Sequence, residues 1–188
     1  MSSPLPVVLV LGASGMLGRA VHQALLVSLA GDASVVGTAH SRTQEGLLPL
    51  DVTDEAGLRE FLAAQAPRVV INCVAERRPD VVEKEPGKAE LLNVRLVELL
   101  AEESARLGFY FIHISTDYVF DGTSPPYEPE DKPNPLNVYG GHKLAAEEVL
   151  RRGHGGVKVG LEREGGREEE EGRRVRAGES NTRVRERL

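Results

Sequence analysis

The chain of 188 residues carries one cysteine, Cys73. A lone thiol forms no internal disulfide, so the fold must rest on its core, and a reducing cytosol is the expected compartment. Positive charge is also short: 23 Lys and Arg face 29 Asp and Glu, a formal net charge of −6. Nucleic-acid binding needs a basic face, and this balance offers no case for one. No apolar run is long enough to cross a bilayer. The opening residues Met1-Ser2-Ser3-Pro4 lack the basic region that leads into a signal-peptide core. No residue is assigned to a metal. What is present, 40% hydrophobic and 28% charged residues over this length, suits one globular domain.

That average conceals a division. Residues 1–150 hold 12 Lys and Arg against 21 Asp and Glu, whereas residues 151–188 hold 11 against 8. The latter stretch has no Phe, Tyr, Ile or Met and is dominated by Arg, Glu and Gly. Such a composition buries too little apolar surface to offset ordering entropy. The expected organisation is one domain over 1–150 and a disordered tail over 151–188. Val157, Val159 and Leu161 alternate as a short strand would, but Lys158 and Gly160 break the continuous apolar run of a central parallel strand.

The most informative local pattern is Val7-Val8-Leu9-Val10-Leu11 followed by Gly12-Ala13-Ser14-Gly15-Met16-Leu17-Gly18. A buried strand, a glycine turn and a helix brought together present unpaired N–H groups to a phosphate. Three spaced glycines alone also describe an ordinary βα turn; strand before and helix after favour a nucleotide site. Met16, Leu17, Ala20, Val21, Ala24 and Leu25 mark the stripe of that helix. Further strands are expected at 34–39, 47–50, 69–73 and 109–114. Thr53 is placed to cap a helix carrying Leu58, Phe61 and Leu62 inward. A long helix over 86–106, with Leu92, Leu96, Leu99 and Leu100 on one side, stops at Gly108. A last helix covers 138–150. Strands alternating with helices predict an α/β fold with a doubly wound, Rossmann-like parallel sheet, incomplete at its C-terminal side.

In such sheets ligands bind beyond the carboxyl ends of the strands. After the second strand come His40, Ser41 and Arg42, where NAD-preferring proteins usually place a carboxylate. Arg42 with His40 suits a 2′-phosphate and so favours NADP; an incidental solvated loop is the alternative. Asp51 and Val52 follow the short strand, in position to contact adenine. Tyr139 and Lys143 are four apart and share a helix face. A nearby ammonium stabilises a tyrosinate, and a hydroxyl from Thr116 or Ser115 would hold a substrate oxygen against it.

Together these motifs resemble the extended short-chain dehydrogenase/reductase superfamily. STDYVFDG, PLNVYGGHK and the glycine loop resemble dTDP-4-dehydrorhamnose reductases. CVAERRPDVVE at 73–83 and DGTSPPY at 121–127 are similar to the family of regulatory beta subunits of methionine adenosyltransferase. The resemblance covers about residues 7 to 150. It implies NADP contacts from Ser14, Gly15, Met16, Leu17, His40, Ser41, Arg42, Asp51, Val52, Cys73, Arg77 and Tyr139. It also implies Lys143 at the nicotinamide ribose and Thr116 as the hydroxyl of a triad, vestigial in a regulatory subunit. The implied partner is the catalytic subunit of methionine adenosyltransferase. An NADPH-dependent reductase using Thr116, Tyr139 and Lys143 is the alternative, as is an inactive truncated isoform. Relatives run to roughly twice this length, and 151–188 reads as an alternative C-terminus.

Overall fold

The computed structural model describes residues 4–41, 45–128, 130–153 and, for the backbone, 158–160. Its strands are β1 (Val7–Leu11), β2 (Ser34–Ala39), β3 (Leu47–Pro49), β4 (Val69–Asn72), β5 (Tyr110–Ile114) and β6 (Lys158–Gly160). Its helices are α1 (Met16–Ser28), α2 (Glu55–Gln65), α3 (Pro79–Lys84), α4 (Pro86–Glu90), α5 (Leu96–Leu107) and α6 (Val138–Gly153). The sheet order is β3-β2-β1-β4-β5-β6, with every neighbouring pair parallel. This is the expected doubly wound α/β sheet. The chain leaves β1 toward β2 and β3, then returns past β1 to β4, so the order switches beside β1.

Right-handed crossovers in opposite directions put their helices on opposite faces. On one face Leu9, Leu11, Val70 and Phe111 meet Leu58 and Leu62 of α2, Leu96 to Ala101 of α5, and Ala146 and Leu150 of α6. On the other face Val8, Val10 and Ile71 meet Val21 and Leu25 of α1 and Leu29, which caps its C-terminus. Each inward strand residue alternates with one facing the opposite way. That two-sided demand explains why these strands are apolar throughout.

Local details differ from expectation in four places. The cap of α2 is Asp54, which accepts from the Gly57 N–H; Thr53 instead bonds Asp51 through its N–H and hydroxyl. Both residues have capping side chains, and the one adjacent to Glu55 takes the role. The inward face of α1 is buried Gly18 with partly buried Val21 and Leu25, continued by Leu29 at the C-cap, whereas Met16, Ala20 and Ala24 are exposed. The helix over 86–107 contains a π turn at Leu91–Arg95, which brings Asn93 to the buried side and leaves Leu92 half-buried. Finally, the stretch expected as a tail from 151 contributes the end of α6 and the edge strand β6. An edge strand pairs on one side only, so Lys158–Gly160 needs backbone bonds to β5 rather than apolar continuity. The remainder of that expected tail, residues 154–157 and 161–188, lies outside the described residues, as does the strand reading of Val157 and Leu161.

Glu103 of α5 is fully buried and receives both Arg59 of α2 and Arg106 of its own helix. The Arg106 and Arg59 guanidiniums hold its carboxyl below the usual range. This pairing ties α2 to α5 above the main core.

Candidate nucleotide site

The switch beside β1 opens a cavity of about 540 Å³. Its floor is the turn after β1. Gly12 adopts φ +75° there, and a Cβ would meet Val74 Cγ2 at 2.9 Å. Only glycine lets the β4 loop cross so close. A Cβ on Gly18 would lie 2.2 Å from the Gly12 carbonyl oxygen, so α1 packs directly on that turn. Gly15 is the N-cap of α1 and supplies no capping side chain. Gly15, Met16 and Leu17 line the cavity, so the positive end of a 13-residue helix faces it.

The end of β4 supplies the second wall: Asn72, Cys73, Val74, Ala75 and Arg77. Asn72, 1% exposed, accepts from the Val74 N–H at 3.0 Å and so shapes the chain as it leaves the strand. Its Nδ2 lies 3.4 Å from His113 Nδ1, and His113 Nε2 lies 3.0 Å from Lys143 Nζ. Lys143 also donates to the Ile114 carbonyl. Burial, with the Lys143 charge adding, pushes the His113 imidazole well below its ordinary value. A neutral imidazole is what a neighbouring ammonium requires. The pair fixes Lys143 at the back of the cavity with little freedom.

The third wall comes from β5 and α6. Ser115 donates to buried Glu147, which also receives Arg151. Thr116 caps the short turn Asp117–Val119 and lines the cavity with Tyr118, Tyr139 and Lys143. The Tyr118 and Tyr139 rings meet edge-on at 6.2 Å. A Cβ on Gly140 would lie 2.2 Å from the Tyr118 carbonyl oxygen, so the start of α6 presses on this segment. The loop beyond is organised by Asp121, which accepts from Thr123, from Tyr127 Oη at 2.8 Å and from Asn134 Nδ2 at 2.9 Å. Those donors hold its carboxyl far below the usual range.

The structure therefore brings Gly15, Met16, Leu17, Cys73, Arg77, Thr116, Tyr139 and Lys143 into one cavity. Gly12 and Gly18 shape its floor, while Ser14 is half-buried beside it in sequence. His40 and Ser41 sit exposed after β2, and Arg42 lies outside the described residues. His40 Nδ1 is 3.4 Å from Asp51, whose carboxyl is held low chiefly by Thr53. Val52 packs partly on the main core. Asn72, His113 and Asn93 escape motif reasoning, and Asp121 enters it only as a letter of STDYVFDG and DGTSPPY. The available signal was their polarity: Asn72 ends an apolar strand, His113 interrupts another, and Asn93 interrupts an apolar helix.

These residues fit a dinucleotide: an uncapped helix end and an arginine for phosphates, a tyrosine and a buried lysine for a ribose. Among the described residues no group of three or more His, Cys, Asp or Glu is placed to hold a metal. No described helix is long and apolar enough to cross a membrane.

Comparison with known proteins agrees with this geometry. The chain is 43% identical over 151 residues to methionine adenosyltransferase 2 subunit beta of Xenopus tropicalis, covering 80% of this chain and 44% of that protein. It thus spans less than half the length of the curated relatives it matches. The structure of a hypothetical dTDP-4-dehydrorhamnose reductase from Sulfolobus tokodaii superposes with a TM-score of 0.74 at 33% identity, covering 85% of this chain and 56% of that one. The reductase from Bacillus anthracis str. Ames, solved in complex with NADP, gives 0.75 at 26% identity, covering 87% and 55%. The model of the RmlD substrate binding domain matches residues 7–159. The chain belongs to the RmlD substrate binding domain family.

Proposed function

We propose that this protein binds NADP in the cavity beside β1 and serves as a non-catalytic regulatory subunit of methionine adenosyltransferase, modulating S-adenosylmethionine synthesis in the cytosol. The observation that carries the reading is the 43% identity to a methionine adenosyltransferase 2 subunit beta, together with an intact cofactor cavity. The N–H groups of α1 and the Arg77 guanidinium take the phosphates. Lys143 and Tyr139 take the nicotinamide ribose, and His40, Ser41 and Arg42 take the 2′-phosphate. NADPH, when bound, supplies a hydride donor; in a regulatory subunit it serves as a bound effector.

A second reading is favoured by one observation: Thr116, Tyr139 and Lys143 line the same cavity. That is the constellation for an NADPH-dependent reduction of a dTDP-4-dehydrorhamnose-type keto sugar. Tyr139 would donate the proton, Lys143 would stabilise the tyrosinate and Thr116 would orient the carbonyl. The regulatory reading ranks first because the subunit relatives match over 80% of this chain at 43% identity, whereas a dTDP-4-dehydrorhamnose reductase from Salmonella typhimurium matches over 54% at 40%. Calorimetric titration of NADP into the 188-residue chain tests the cofactor, and co-purification with the catalytic subunit tests the partner. Saturable binding with co-purification is expected. NADPH turnover with dTDP-4-dehydrorhamnose and no partner binding would reverse the ranking; neither binding nor turnover would leave an inactive isoform.

A further inference from the structure

The loop between β4 and α3 is pinned from a direction that the cofactor motifs do not include. Asn93 is 1% exposed and sits in the π turn that interrupts the long helix. Its Oδ1 accepts from the Glu76 N–H at 2.8 Å, and its Nδ2 donates to the Glu76 carbonyl at 2.8 Å. One side chain thus satisfies both backbone groups of one loop residue, as a neighbouring strand would. The Glu76 carboxylate then receives the Arg78 N–H and Nε at 3.0 Å and Nη2 at 2.7 Å. Arg78 is turned to Glu76, while its neighbour Arg77 lines the cavity. At the loop's other end Asn72 holds Val74. A π turn has a reason here, since such turns recur at functional sites and shift the facing of one helical residue.

We propose that Asn93 is a positioning residue: by clamping Glu76 it sets the 73–78 loop so that Arg77 is presented to an anionic group of the ligand. The proposal rests on the reading that the cavity takes the phosphates of NADP. A buried amide left without partners is costly, so the clamp is specific to a side chain with one donor and one acceptor end.

The test is a double-mutant cycle on the whole chain, with NADPH affinity by calorimetry and backbone amide exchange as readouts. Arg77→Ala and Asn93→Ala should each weaken NADPH binding about tenfold, the scale of one charged contact. The double variant should lose no more than about twofold beyond either, because both remove the same contact. Asn93→Ala should also speed exchange at residues 75–78 while β1 and β5 stay protected. Asn93→Asp keeps the volume and the acceptor but loses the donor, and should show the same direction if Asn93→Ala fails to fold. Wild-type affinity in the Asn93 variants, or losses that multiply, would overturn the proposal. If the wild-type chain binds no NADPH, the cofactor reading fails; exchange then decides the clamp, and unchanged loop exchange overturns it.

Discussion

The two faces of the sheet are built from the same strands yet are covered very differently. Among the described residues α2, α5 and α6 pack on one face, while α1 alone packs on the other. Phe111 and Ile112 are adjacent on β5 and point to opposite faces; Phe111 is fully buried and Ile112 only partly. Val69 and Cys73 share the thinner side with Ile112. The thick face holds the fold together, and the thin face, through the uncapped start of α1, serves the site. The α2 and α5 helices serve the core and α1 opens its N-terminus to the cavity, while α6 does both: Ala146 and Leu150 pack on the thick face and Tyr139 and Lys143 line the cavity.

The largest expected effect breaks or upholds that division directly. Phe111→Ala empties the thick face and should cost about 3–5 kcal/mol, whereas Ile112→Ala should cost no more than about 2 kcal/mol. Urea unfolding of both variants checks this. Equal losses would mean that the α1 face is as well packed as its opposite.

A second comparison sets the two helix starts against each other. Asp54 caps α2 with its side chain, while Gly15 leaves the first turn of α1 to a ligand. Asp54→Ala should lower stability by about 1 kcal/mol and leave NADPH affinity unchanged. Gly15→Asp should do the opposite. Its backbone angle of −72° accepts a side chain, the new Cβ lies a tight 3.2 Å from the Gly12 carbonyl oxygen, and a carboxylate suits the helix start, so the net stability change should stay within about 1 kcal/mol. The same carboxylate would occupy the proposed phosphate position, so affinity should fall by about tenfold or more. Calorimetry and thermal melts on the two variants separate these outcomes, and unchanged affinity in Gly15→Asp would move the phosphate away from α1.

How much of this was legible in the sequence follows from where each signal resides. The strands β1, β4 and β5 were readable because a strand between two layers must be apolar throughout. The glycine turn was readable because its spacing is set by backbone contact, which the 2.2 Å approach of a Gly18 Cβ to Gly12 makes explicit. The Tyr139–Lys143 pair was readable from helical periodicity. The Asn72–His113–Lys143 chain was not, since its members come from β4, β5 and α6 and meet only through strand register. Asn93 was hidden for a related reason: a π turn changes facing without changing composition, and its partner lies 17 residues earlier. The cap of α2 was ambiguous because Thr53 and Asp54 are both good caps. β6 was discounted because apolar continuity applies to central strands and not to edges.

A smaller effect comes from acidity, and its sign is fixed by His113 on the thick face. Its imidazole is held well below the ordinary value of 6.5, so the unfolded chain binds the proton more readily. Stability from this group is complete above about pH 6.5 and declines as pH falls toward the folded value. His22 on α1 shifts the same way through burial, but it is far less enclosed. The carboxyls of Glu76, Glu103 and Asp121 are held low instead, so their contributions are complete above the ordinary carboxylate values and are lost as pH falls through that range toward the folded values. His113→Gln keeps an acceptor for Lys143 and should flatten most of the decline between about pH 6.5 and 5. Urea midpoints measured across that window check it. An unchanged slope would assign the titration to His22 and the thin face.

The smallest effect is expected on the outward side of α1. Leu26 and Val27 are 47% and 80% exposed, and neither belongs to the cluster beneath the helix. Solitary exposed apolar residues are normal, and surface changes away from caps and cores stay within about 0.5 kcal/mol. Val27→Gln should accordingly leave both the unfolding midpoint and NADPH affinity where they were. Val21→Ala and Leu25→Ala, on the inward side and about one and a half turns and half a turn nearer the site than Val27, should loosen α1 and weaken binding together. If Val27→Gln alone shifts either quantity, the outward side of α1 is covered in solution, and the thin face is thicker than its single helix indicates.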